Sequence, residues 1–165
     1  MKITKIKKVR NNLYELTIAH GEDVEIFKLS EDYLIQYQLY NNKEISEKDY
    51  LEIQALANKS KIYQKTLNYL SYKMRAESEI RKYLHDNNCV EPLTTEIINK
   101  LKKLNYINDK TYCELYIKQQ FDVSKNGPLL IKNNLLNKEI DEGIIETCLE
   151  YINDEKINHN INYLI

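Results

Sequence analysis

The sequence predicts a mainly α protein, with tandem three-helix repeats in an elongated array and a small β-meander at the N-terminus. Three observations carry this expectation. Glycine (3) and proline (2) are scarce in 165 residues, whereas an all-β sandwich or barrel needs turn residues every few positions. Apolar residues recur at helical spacing from Ser30 onward. The second half also runs twice through the same order of apolar stripes, the mark of a repeat architecture.

In chain order, KITKIKKV, LYELTIA and VEIFKL are β-branched segments separated by Asn11-Asn12 and by His20-Gly21-Glu22-Asp23. Both separators carry turn chemistry, so Lys2 to Leu29 reads as a three-stranded meander that must pack against helix to be stable. Ser30 reads as the N-cap of a short helix, EDYLIQYQL, closed off by Asn41-Asn42. Ser46 with Asp49 has the pattern of a capping box and opens a long helical segment to Lys73. Leu51, Ala55, Ile62, Leu67 and Leu70 hold its stripe, and Asn58-Lys59-Ser60 is a point where it can divide in two.

The repeat then becomes legible. AESEIRKYLHDNNC places Ile80, Leu84 and Asn87 on one stripe, and GPLLIKNNLLNKEI places Ile131, Leu135 and Lys138 on the corresponding one. Each is followed by an amphipathic helix, with Ile97, Ile98, Leu101 and Leu104 in the first unit and Ile144, Ile145, Cys148, Leu149 and Ile152 in the second. Each is preceded by another, IYQKTLNYL or KTYCELYIKQQF. The expected organisation is an N-terminal meander plus helix over 1–60, a first three-helix repeat over 61–109 and a second over 110–156. Residues 157–165 read as the start of a third, which implies either a natural end there or a shortened chain.

Composition narrows the chemistry. Hydrophobic residues at 42% exclude a disordered chain, and 24 basic against 25 acidic residues exclude a global field for nucleic acid. Cys89, Cys113 and Cys148 are odd in number, far apart in sequence and without a CxxC, so they read as small hydrophobes in a reducing cytoplasm. His20, His85 and His159 are equally dispersed. No metal site, cofactor, small-molecule substrate or catalytic residue is expected, since no nucleophile motif or glycine-rich loop is present. Glu77 and Glu79 are two apart on a helix and point in different directions, so they cannot share a substrate. No apolar run is long enough to cross a bilayer, and MKITKIKKVR lacks the apolar core of a signal peptide.

What remains is surface. Lys73, Arg75, Arg81 and Lys82 gather around one helix start, Lys100, Lys102 and Lys103 on the next helix, and Lys118, Lys125, Lys132 and Lys138 in the second unit. Two readings stand side by side: solvated faces of amphipathic helices, or a face of the array that meets a polyanion or an acidic protein groove. Tyr69, Tyr72, Tyr83, Tyr106, Tyr112 and Tyr116 read either as half-buried packing or as platforms for bases.

The stretch YLSYKMRAESEIRKYL, from Tyr69 to Leu84, resembles the signature of the RecX family, bacterial regulators of the RecA recombinase. NYINDKTYCELY and NGPLLIKNNLLNKEI resemble that family's next two motifs, in the family's order, and the N-terminal strands resemble the extension of its longer members. Arg75, Glu77 and Glu79 match the first motif, Tyr106, Asp109 and Tyr116 the second, and Gly127, Ile131 and Leu135 the third. These positions read as architectural: Asn108-Asp109 as a helix cap, and Gly127-Pro128 as a helix start. Ala76 departs from the family's serine and removes half of a capping box, while Asn105 and Glu139 stand where glycines would take a left-handed conformation. Most of a third repeat is missing.

The resemblance implies a non-enzymatic inhibitor of RecA-mediated recombination and the SOS response that lies in the groove of the RecA filament on DNA. Lys73, Arg75, Arg81, Lys82, Lys102, Lys103, Lys118 and Lys132 are its expected partner-binding residues. The implied partner is the RecA filament, with weak contact to single- or double-stranded DNA as a further expectation. The alternative is a helical nucleic-acid-binding module acting directly on DNA.

Overall fold

The computed structural model of the chain describes residues 1–150, so the expectations for Ile152, for the end of the second repeat and for a third repeat at 157–165 lie outside the described residues. The chain divides into two compact units, Met1–Lys65 and the described residues from Thr66 onward.

In the first unit, β1 (Lys2–Arg10), β2 (Leu13–His20) and β3 (Asp23–Ser30) form an antiparallel meander in the order β1-β2-β3. The turns are where the sequence put them, with Asn12 (φ 57°) and Gly21 (φ 64°) in the left-handed region. Ile3, Leu16, Ile18 and Leu29 turn inward against Leu34 of α1 (Glu31–Gln36), Ile45, and Ile53 and Ala57 of α2 (Glu47–Tyr72). A buried Leu or Ile contributes about 1.5–3 kcal/mol, and this packing on helix stabilises three strands that would be marginal alone.

Four local expectations are corrected here. Ser30 is the N-cap of α1 but makes no side-chain cap; the Glu31 amide donates instead to Asn12 Oδ1 at 3.1 Å, an acceptor presented by the β1–β2 turn. The helix does not run to Asn41-Asn42, because Gln38 turns left-handed (φ 48°) and Leu39 N–H closes back on Leu34 O at 2.8 Å. Asn58-Lys59-Ser60 does not divide α2, which is continuous. Its buried face holds Ile53 and Ala57, while Leu51 and Ala55 face solvent, since the sheet selects which stripe it covers. The capping box at Ser46 forms as expected: Asp49 N–H donates to Ser46 Oγ at 3.1 Å, and Ser46 N–H donates to Asp49 Oδ2 at 3.0 Å. The Ser46 hydroxyl also donates to that oxygen, and these bonds hold the Asp49 carboxyl below the usual range.

The second unit holds α3 (Glu77–Asp86), α4 (Leu93–Lys103), α5 (Asp109–Lys118) with a π-helical turn at Gln119–Val123, α6 (Pro128–Leu136) and α7 (142–150). Its buried stripes are the expected ones: Ile80 and Leu84, then Ile97, Ile98 and Leu101, then Ile131 and Leu135, then Ile145 and Cys148. Leu104 lies just past the end of α4 and is 53% exposed, so it leaves the stripe. Three of these helices stop in the same way. Asn88, Asn105 and Glu139 are left-handed, each at φ 58°, and the next amides reach back to Leu84 O (2.9 Å), Leu101 O (2.9 Å) and Leu135 O (3.3 Å).

Candidate functional site

The first turn of α3 joins the two repeats. Ala76 is its N-cap, extended at φ -69° and ψ 155°, and Ala76 N–H donates to Glu79 Oε2 at 3.0 Å, the half of the capping box that survives without a serine hydroxyl. The Ala76 methyl is fully buried, not among first-repeat side chains but in the core of the second, with Cys113, Ile117, Ile131, Leu135, Ile140, Ile145 and Cys148. Glu77 N–H, an unsatisfied amide of the first turn, donates to Asp109 Oδ1 at 2.9 Å, and the Ser78 hydroxyl donates to Lys138 O at 2.5 Å. Lys138 Nζ lies 3.3 Å from Glu79 Oε1. Ser78 and Glu79 thus reach Lys138 in the second repeat, and Glu77 reaches the first residue of α5.

Charge is balanced within this junction. The Glu77 carboxylate sits between Arg81 Nε, at 2.9 Å, and Lys102 Nζ, which joins α4 to α3. Burial works against its charge, but hydrogen bonds from Lys102 and Arg81 outweigh it and hold the carboxyl below the usual glutamate range. Asp109 goes the other way: burial pushes its carboxyl up, only partly opposed by the Glu77 amide. The cap expected at Asn108-Asp109 is present, with its two residues serving different helices. Asn108 alone caps α5, accepting from Thr111 N–H at 3.0 Å, while Asp109 serves α3.

The expected partner-binding residues fall into two groups. Arg75 stacks its guanidinium 3.6 Å from the centroid of the Tyr69 ring, which in turn stacks on Tyr83 at 4.0 Å and 8°. Arg81 is held by Glu77 and lies 3.7 Å from Glu91; Lys102 is held by Glu77; Lys132 is held by Glu146 and by Glu142 at 2.9 Å. These four have intramolecular partners. Lys73, Lys82, Lys103 and Lys118 are exposed, with no partner among the described residues.

Of the other motif residues, Ile131 and Leu135 are fully buried, Tyr116 stacks on Tyr112 at 6.0 Å beside the same core, and Tyr106 is 53% exposed just past the left-handed Asn105. Gly127 is the N-cap of α6, with Pro128 at its first position and space for a Cβ, so no steric demand for glycine exists there. The three cysteines are free and buried, as expected of small hydrophobes. Cys113 and Cys148, remote in sequence, share one core, and Cys148 Sγ lies 4.0 Å from Lys110 O. Burial pushes both thiols up. Ser78 was not singled out by sequence, and no periodic signal marks it, because its partner lies 60 positions away. Among the described residues no group of His, Cys, Asp and Glu could hold a metal ion, and no helix is long and apolar enough to cross a membrane.

The fold is shared with known proteins. The family model described as RecX, first three-helix domain, matches residues 63–103. A crystal structure of regulatory protein RecX superposes with a TM-score of 0.76 at 31% identity, covering 92% of this chain and 73% of that one. The chain belongs to the RecX family. Regulatory protein RecX of Lactococcus lactis is 37% identical over 98% of this chain and 60% of its own length. The crystal structure of RecX from Lactobacillus salivarius matches 56% of this chain and 60% of its own at 43% identity, with a TM-score of 0.55. The chain spans about 60% of the length of the curated RecX relatives it matches.

Proposed function

We propose that this RecX chain is a non-enzymatic regulator of the RecA recombinase, acting in the cytoplasm by lying in the groove of the RecA filament on DNA and inhibiting recombination and the SOS response. Membership of the RecX family carries this reading. On it, the repeats at 61–109 and 110–156 are the working units, and the junction of Ala76, Glu77, Ser78 and Glu79 with Asp109 and Lys138 sets the angle between them. Lys73, Lys82, Lys103 and Lys118 meet the filament, because they are the expected cations with no partner among the described residues. Arg75, Arg81, Lys102 and Lys132 then serve the fold first and the partner second.

The test is co-sedimentation with preformed RecA filaments on single-stranded DNA, together with DNA-dependent ATP hydrolysis by RecA. Binding with inhibition supports the reading, and so does its loss when Lys73, Lys82, Lys103 and Lys118 become glutamate while helicity and Tm stay at the parent values. Absence of co-sedimentation at low salt refutes it.

A further inference from the structure

The strand β1 carries five cations in nine residues, and its two irregularities decide where they point. In a regular strand, alternate side chains share a face, so Lys2 and Lys5 would lie on opposite faces, as would Lys7 and Arg10. The register of β1 on β2 slips between Ile3 and Lys5 and again between Lys8 and Arg10. Each slip restores the parity, pairing Lys2 with Ala19, Lys5 with Thr17, Lys7 with Glu15 and Arg10 with Leu13. These β2 residues alternate with the buried Leu16 and Ile18, so all four cations project from the face of the sheet opposite the core. Lys8, on the other face, lies 5.7 Å from the centroid of the Tyr14 ring.

That outer face is graded across its strands. Lys2, Lys5, Lys7 and Arg10 are exposed, with no partner among the described residues. Beside them Thr17 and Ala19 are neutral and Glu15 is matched by Lys28 at 3.6 Å; Glu44 bridges next to Lys2 and is the remaining acid alongside. On β3, Val24 (paired with Ala19) and Ile26 (paired with Thr17) are each 62% exposed. A row of charges at about 6.6 Å intervals on neighbouring positions, flanked about 5 Å per strand away by neutral Thr17 and Ala19, with Glu15 matched by Lys28, and then by apolar Val24 and Ile26, matches a single-stranded nucleic acid. Its phosphates would follow β1 and its bases would lie across Thr17, Ala19, Val24 and Ile26.

We propose that the outer face of the N-terminal sheet binds single-stranded nucleic acid, with Lys2, Lys5, Lys7 and Arg10 holding the phosphates and Val24 and Ile26 the bases. The proposal goes beyond the filament reading and does not rest on it. A duplex offers phosphates without free base faces, so the apolar row favours the single strand.

The experiment is fluorescence anisotropy of a labelled oligothymidylate with the full chain, without RecA, over a salt series, with a duplex of equal length and vesicles of anionic phospholipid as competitors. The combined change of Lys2, Lys5, Lys7 and Arg10 to glutamine should raise Kd at least tenfold. It should also reduce the salt slope by about 2.8, at about 0.7 for each of the four phosphates no longer neutralised. The combined change of Lys73, Lys82, Lys103 and Lys118 to glutamine should leave both nearly unchanged. Ile26→Glu, which keeps all four cations and sets a carboxylate in the base row, should also weaken binding. Circular dichroism verifies that each variant is folded, and changing Lys2, Lys5 and Lys7 to arginine should preserve binding. Unchanged affinity in the β1 variant would overturn the proposal. So would an equal loss in the helical-face variant, equal affinity for duplex, or binding to the vesicles in preference to the oligonucleotide.

Discussion

Replacing Asp109 with alanine should loosen the junction between the repeats, because it removes the acceptor for Glu77 N–H and leaves an amide at the start of α3 unpaired. A hydrogen bond to a charged acceptor contributes about 1.5–3 kcal/mol. Part of that is offset here, since burial already works against the Asp109 charge and its removal relieves that cost. The expected loss is about 1–2 kcal/mol, or a fall of roughly 0.5–1 M in the urea midpoint at a slope near 2 kcal/mol/M. Asp109→Asn keeps the Oδ1 acceptor and drops the charge, so it should cost much less than alanine. Combining Asp109→Ala with Ser78→Ala, whose hydroxyl reaches Lys138 O from the adjacent position, should show a coupling of at least about 0.5 kcal/mol. The assay is urea denaturation followed by far-UV circular dichroism. An alanine variant within about 0.3 kcal/mol of the parent, or asparagine as damaging as alanine, would refute the assignment of this hydrogen bond as the link between repeats.

Glu139→Gly should stabilise the chain by about 0.5–1 kcal/mol: the exposed Glu139 sits at φ 58°, which costs an L-residue about 1–2 kcal/mol, offset in part by the greater freedom of glycine when unfolded. A thermal melt should show a Tm rise of roughly 1–4 °C, and a fall would contradict the strain argument. The Glu77 carboxyl lies below its ordinary range in the folded chain, so its contribution is full above the unfolded pKa and is lost as pH falls through the folded value. The stability gap between the parent and Glu77→Gln should therefore be wide near about pH 7 and close toward about pH 3, whereas a gap independent of pH would exclude the ion pairs as its source. Cys89, Cys113 and Cys148 are at most 5% exposed, so an aromatic disulfide reagent should label them only as fast as the fold opens, and rapid labelling in native buffer would show the cores to be accessible.

Much of the fold was legible because it is local. The meander follows from β-branched runs and turn residues, and the Ser46–Asp49 box from a cap pattern three residues long. The left-handed Asn105 and Glu139 follow from helix stops aligned with glycine positions. Each is set by interactions within a few residues, and so is the burial of Ile80, Leu84, Ile131 and Leu135, where apolar period and helical period coincide. Tertiary structure decided whatever depends on direction or on a distant partner. Arg75, Lys102 and Lys132 look like Lys82 in a sequence, yet a ring or a carboxylate brought up by folding engages each of the three. Asp109 stands at the start of α5 and serves α3, and Ser78 finds a carbonyl in the other repeat. The cation row of β1 is invisible to a period of two, since its parity is restored only where the strand slips against β2. A linear pattern records which side chains share a face of one element; it does not say which face a neighbour covers, and pairing across long separations is chosen by that packing.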